Sequence, residues 1–266
     1  MTDRAAWVPA DINVDVPSAA RVYDYLLGGG HNFLADRVVG DKVLQVLPNG
    51  GQIAGSNRAF LRRAVLYMME QGITQFLDLG SGIPTVGNVH EIAQRVDPAA
   101  RVVYVDHDEV AVAHSELILE GNDNASVVAG DFCEPDIILT ADAVRSLDFD
   151  RPIGLLMVAV FHFVPDDKHP SAIVARYRDA LPSGSLVALS HLTADYRTAE
   201  MSAVAEAMKH SRDPMYFRPK DAVLAMFDGL DLVEPGVVSA PKWRPEPSTY
   251  DLVSPEDIYV GVGRKP

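Results

Sequence analysis

The chain has 266 residues, 48% of them hydrophobic, enough to fill one large core or two small ones. Its formal net charge is −14, and its basic residues are scattered singly or in pairs such as Arg62-Arg63, so nucleic acid is not an expected partner. A single cysteine, Cys133, excludes an internal disulfide and a cysteine-rich metal site, and no metal is expected.

The opening residues, Met1 to Trp7, lack the basic-then-apolar pattern of a secretory leader. The longest apolar run, Ile153 to Val160, is strand-sized, far short of the ~20 residues a membrane helix needs. A cytoplasmic protein without a membrane anchor is expected. Residues 1–16 read as irregular. Pro17 to Leu27 suits a short helix, stopped by Gly28-Gly29-Gly30, since each glycine weakens a helix and tolerates positive φ. A second helix is expected from Phe33 to Val46, ended by Pro48-Asn49-Gly50-Gly51. A third is expected to begin near Ser56, a good N-cap, and to end at Gly72; Phe60, Leu61, Ala64, Val65 and Met68 recur along it at helical spacing.

Beyond Gly72 strands and helices alternate. Strands are expected at 74–79, 101–106, 125–129, 153–160 and 184–190, and helices at 86–96, 109–120, 136–147 and 170–181. Runs such as Val102-Val103-Tyr104-Val105 are apolar throughout, as in strands buried on both faces of a parallel sheet. Helices near 194–210 and 220–228 follow, then two closing strands near 231–239 and 257–263, with a proline-rich loop from Pro241 to Pro247 between them. The pattern predicts an α/β fold: a doubly wound, mostly parallel, seven-stranded sheet in residues 73–266, preceded by a helical extension in residues 1–72. No linker separates the two parts, so the extension is expected to pack on the sheet's ligand edge, as a lid or as plain helix packing.

In such a sheet ligands sit beyond the carboxyl ends of the strands. Four strand ends carry suitable residues. The first is Phe76-Leu77-Asp78-Leu79-Gly80-Ser81-Gly82-Ile83-Pro84-Thr85, where Gly80 and Gly82 permit a tight turn and close backbone approach to a nucleotide-like ligand. The acid two residues before the first glycine suits a cationic or amine-bearing ligand better than a pyrophosphate, and Thr85 stands where a dinucleotide fingerprint has its third glycine. The second is Asp106, 24 positions after Gly82, placed to accept from ribose hydroxyls. It is also a possible cap for the next helix, although Asp108 fits that role better. The third is Asp131-Phe132, an acid for an adenine amino group beside an aromatic ring for its face, or a solvated turn. The fourth is Phe161-His162-Phe163, where His162 is a candidate general base, an orienting group, or a histidine packed between aromatics. His191, ending the fifth strand, is a weaker candidate.

In order and spacing these four ends resemble the Class I S-adenosylmethionine-dependent methyltransferases. Asp78-Leu79-Gly80-Ser81-Gly82 matches their acid-x-Gly-x-Gly motif, Asp106 their ribose acid, and Asp131 with Phe132 their adenine contact. The stretch from Pro17 to Arg37, with Ile83-Pro84-Thr85 and Asn88-Val89-His90, is similar to an actinobacterial group of such enzymes long classed as a domain of unknown function. In that group a polar pair such as Lys-Asp is usual where this chain has Gly30-His31. The resemblance implies a Rossmann-like methyltransferase fold, S-adenosylmethionine as cofactor and S-adenosylhomocysteine as product. Cofactor contacts are then expected from Tyr23, Asp78, Gly80, Ser81, Gly82, Thr85, Asp106, His107, Asp131 and Phe132. His162 is the catalytic candidate and a small molecule the expected acceptor. An NAD-dependent oxidoreductase shares the glycine loop and ribose acid, but Asp78 and Thr85 argue against it. A non-catalytic cofactor-binding regulator is the other alternative.

Overall fold

A computed structural model describes residues 13–84, 87–246 and 256–266. The helical extension forms α1 (Ala19–Leu26), α2 (Leu34–Val46) and α3 (Gly50–Glu70). Strands and helices then alternate: β1 (Gln75–Leu79), α4 (Val89–Val96), β2 (Arg101–Asp106), α5 (Glu109–Leu119) and β3 (Ala125–Ala129). Two single-turn helices follow, α6 (Pro135–Ile138) and α7 (Asp142–Arg145), then β4 (Gly154–Val158), α8 (Pro170–Ala180) and β5 (Leu186–Leu192). The chain continues through α9 (Thr198–Met208), α10 (Lys220–Ala225), β6 (Asp231–Leu232), β7 (Val238–Ser239) and β8 (Ile258–Arg264).

The strand order is β3-β2-β1-β4-β5-β8-β6, with β7 also paired to β8. Strands β1 to β5 are parallel, and β8 runs antiparallel to β5, β6 and β7. The order reverses between β1 and β4, which opens a crevice at their carboxyl ends. Strand residues alternate between two cores. Phe76, Val102, Tyr104 and Leu156 cluster with Phe60, Ala64 and Met68 of α3, while Leu77, Val103, Val105 and Leu155 cluster with Ile173, Val174 and Tyr177 of α8. Val22, Val43 and Ile53 belong to the first of these clusters, so the extension shares the sheet's core.

Boundaries differ from the sequence reading at several elements, the start of α3, the end of β4, α6 with α7, and β6 with β7 among them. Helix α3 begins at Gly50, with Asn49 at its N-cap and Ser56 inside it. Gly50 and Gly51 do not break the chain. They let α3 approach α1, because a Cβ on Gly51 would stand 2.9 Å from the Leu26 carbonyl oxygen. Strand β4 ends at Val158 because Ala159 takes a φ of 62°, leaving extended backbone. The 136–147 helix is two separate turns, α6 and α7. The 231–239 strand splits into β6 and β7 around Pro235 and Gly236 (φ 81°), which gives eight strands in place of seven.

Candidate active site

Strand β1 delivers the glycine loop to the crevice. Gly80 has a φ of 66°, and a Cβ there would stand 2.3 Å from Val160 Cγ1, so only glycine fits. The loop folds back onto β2. The Gly80 and Ser81 amides donate to the Val105 carbonyl at 2.8 and 3.2 Å, and the Gly82 amide donates to Asp106 Oδ2 at 2.7 Å. These three N–H groups are thus committed inside the protein. What the loop offers a ligand is the Asp78 carboxylate and the Ser81 hydroxyl, which is buried without a hydrogen-bond partner. That supply suits a cationic group better than a phosphate.

Asp78 is 6% exposed. Burial pushes its carboxyl up to about 7, Arg58 opposes that rise, and Asp106 adds to it. Arg58, on α3, lines the same cleft and holds its place by donating to the Gly87 carbonyl at 2.9 Å. An acid and a guanidinium thus face one space, a pairing that matches the ammonium and carboxylate of an amino acid. Sequence reasoning missed Arg58, which lies on an amphipathic helix 20 residues before Asp78 with no motif around it.

The cleft opens at the carboxyl ends of β1, β2 and β4. It is lined by Tyr23, Asp78, Gly80, Ser81, Gly82, Asp106, Phe132 and His162 of the expected residues, and by Asn57 and Arg58 in addition. Asp106 lines it while accepting from the Gly82 amide through Oδ2 and the Asp108 amide through Oδ1; burial raises its pKa. Asp108 is the α5 N-cap, accepting from Val110 and Ala111. Two expected contacts are not among the lining residues. His107 turns to Asp213, 3.2 Å away, and that hydrogen bond raises its pKa; Asp213 also caps α1 by accepting from the Ala19 amide. Asp131 accepts from the Cys133 amide and lies 3.8 Å from Lys168. Thr85 lies outside the described residues.

The 17–37 segment contributes Ala19, Ala20 and Tyr23 to the cleft. Its other polar residues tie the turn together. Asp24 accepts from the His31 amide and from Asn32 Nδ2, Arg37 donates to both oxygens of Asn32, and Asp36 accepts from the Ser18 and Phe33 amides. A Cβ on Gly29 would stand 2.0 Å from Asp24 Oδ1, which explains the central glycine of the triplet.

Two histidines flank the end of β5. His191 donates from Nδ1 to the Leu192 carbonyl at 2.6 Å and accepts from Arg218 Nη1 at 3.0 Å, and burial lowers its pKa to about 4. Held on both sides, it lines neither the cleft nor the cavity beside it. The His162 ring lines both, and burial holds its pKa well below the ordinary value, with His191 and Arg218 adding to that effect. Among the described residues no cluster of three or more His, Cys, Asp or Glu is arranged to hold a metal ion.

A doubly wound sheet with an acid-x-Gly-x-Gly loop at β1 and a carboxylate ending β2 defines an adenosine-cofactor enzyme. A family model described as S-adenosyl methyltransferase matches residues 5–266, and the chain belongs to that family. Its cofactor is therefore S-adenosylmethionine. A DUF574 family protein from Streptomyces avermitilis is 39% identical, with a TM-score of 0.91 over 96% of this chain and 100% of its own. A Thermobifida fusca protein described as a candidate methyltransferase is 38% identical, with a TM-score of 0.91 over 98% of this chain and 99% of its own. No curated protein matches the chain. Among the described residues no helix is long and apolar enough to cross a membrane.

Proposed function

We propose that this methyltransferase acts on a small molecule, with the cofactor held in the cleft that Asp78, Arg58 and Asp106 share. The observation that carries the placement is the buried Asp78 carboxyl sharing the cleft with the Arg58 guanidinium. The cofactor has an α-ammonium, a carboxylate and an adenosine, and the donor set matches each part. Asp78 takes the ammonium, whose charge offsets the cost of ionising a buried acid. Arg58 takes the carboxylate. Asp106 accepts from the ribose hydroxyls with the lone pairs that Gly82 and Asp108 leave open. Phe132, which lines the cleft, packs on the adenine.

When bound, the cofactor supplies a methyl group already activated by its sulfonium, so the protein's task is alignment and exclusion of water. Tyr23 and the start of α1 wall the cleft on the side away from the sheet and act as its cover. Calorimetry with S-adenosylmethionine, S-adenosylhomocysteine and NAD tests the reading. Both sulfur ligands are expected to bind and NAD is not; binding of NAD alone would sink it. Turnover is then read by mass spectrometry as the gain of a methyl group on members of a small-molecule acceptor library.

A further inference from the structure

Beside the cofactor cleft lies a second cavity, bounded by residues of α1, α2, α3 and α9. Ala19, Tyr23, Asn57, Ala159, His162 and Phe163 line both spaces, so they form the partition between them. The far wall is apolar, running from Val43 on α2 and Leu47 at its C-cap to Met201, Val204 and Met208 on α9 and on to Met215. No Asp, Glu, Lys or Arg is among the residues lining it. An ion placed there would lose its water and gain no counter-charge, whereas an apolar molecule gains from leaving water. The methionines add a wall that adapts to ligand shape.

The polar groups of the partition are bonded to one another. Tyr23 donates its hydroxyl proton to the Ala54 carbonyl at 3.1 Å and accepts from Asn57 Nδ2 at 3.0 Å. Asn57 Oδ1 accepts from Ser190 Oγ at 2.6 Å, and Ser190 Oγ accepts from the Ala159 amide at 2.8 Å. This chain fixes Tyr23 and Asn57 and commits the phenol proton. His162 is set differently. The Leu192 amide points at its Nδ1 from 3.4 Å, which demands a lone pair there. A neutral ring then carries its proton on Nε2. The low pKa of the buried ring agrees with a neutral imidazole.

We infer that the second cavity holds a neutral, largely apolar methyl acceptor, and that His162 meets it as an Nε2–H donor to a lone pair, a positioning role in place of a general base. The inference rests on the methyltransferase reading of the adjoining cleft. The test is calorimetry of the full chain in saturating S-adenosylhomocysteine, with 2-acetonaphthone as a neutral probe and 2-naphthoate as its anionic counterpart. The ketone is expected to bind one-to-one and the naphthoate at least ten-fold more weakly. Val204→Trp, which fills the cavity, is expected to abolish ketone binding and leave S-adenosylhomocysteine affinity unchanged. His162→Phe is expected to weaken the ketone about ten-fold. Ring ¹⁵N NMR at neutral pH is expected to show a protonated Nε2 and a bare Nδ1. Equal binding of naphthoate, ketone binding indifferent to Val204→Trp, or a proton on Nδ1 would overturn the inference. A chain that binds S-adenosylhomocysteine but not the ketone removes this inference alone; one that binds neither removes the cofactor reading with it.

Discussion

Replacing Asp78 by Asn separates what the fold needs from what the cofactor needs. The carboxyl titrates near 7 in the folded protein because burial disfavours its charged form. In the unfolded chain it titrates at its ordinary value of 3.8. Below pH 3.8 the group is protonated in both states and contributes nothing. Between 3.8 and 7 the unfolded chain releases a proton that the folded chain keeps, so the folded state grows less stable as pH rises. Above 7 the penalty is constant. The difference between the two values is about 3 pH units, and at about 1.4 kcal/mol per unit the ceiling is about 4 kcal/mol. Asn carries no such charge, so the cofactor-free variant is expected to be more stable than the parent by up to that amount at pH 8. That is roughly 10 °C in melting temperature for a chain of this size. The advantage should shrink at pH 5 and vanish near pH 4. The variant should also bind S-adenosylhomocysteine at least 100-fold more weakly, about 3 kcal/mol, because a buried ammonium would lose its counter-charge. Thermal melts of both proteins from pH 4 to 8.5, paired with calorimetry, measure the two effects. A stability gap that does not change with pH would refute the account of Asp78, and undiminished affinity would move the ammonium elsewhere.

Arg58→Ala is expected to weaken S-adenosylhomocysteine about ten-fold or more while sparing 5′-methylthioadenosine, which lacks the amino-acid carboxylate; equal losses for both ligands in calorimetry would assign Arg58 to the fold instead. Asp106→Ala is expected to weaken every adenosine ligand about ten-fold or more, the scale of a lost charged hydrogen bond, and unaltered adenosine binding would mean the ribose lies elsewhere. His191→Ala removes an acceptor of buried Arg218 and is expected to cost about 2 kcal/mol in urea unfolding with S-adenosylhomocysteine affinity unchanged; a loss of cofactor affinity without loss of stability would return His191 to the site.

The glycine loop and the carboxylate at the end of β2 were legible in the sequence because their geometry is local. An apolar strand, a tight turn and a helix start fix where Asp78, Gly80 and Gly82 stand, whatever the rest of the chain does. The same holds for Asp108, whose capping role follows from its place before α5. Boundaries failed where a distant contact outweighed local propensity: Gly50 and Gly51 read as a break, yet the close approach of α3 to Leu26 makes them part of a helix. His107 read as a neighbour of the ribose acid, but a partner more than a hundred residues away, Asp213, turns it aside.

By itself the sequence determined a doubly wound sheet and the place of Asp78, Gly80 and Gly82 at the end of its first strand, because strand periodicity and turn chemistry act over a few residues; the cofactor followed from the resemblance of the strand ends to a known family. Tertiary structure alone decided that Arg58 faces Asp78 and that Tyr23, Asn57, Ala159 and Ser190 join in one hydrogen-bonded chain. It also decided that the Met201, Val204 and Met208 face of α9 walls a cavity. Helical periodicity shows that such a face leaves water. Whether it meets another side chain or an enclosed space depends on how α9 packs with α1, α2, α3 and the turn after β4, and no local pattern encodes that distance.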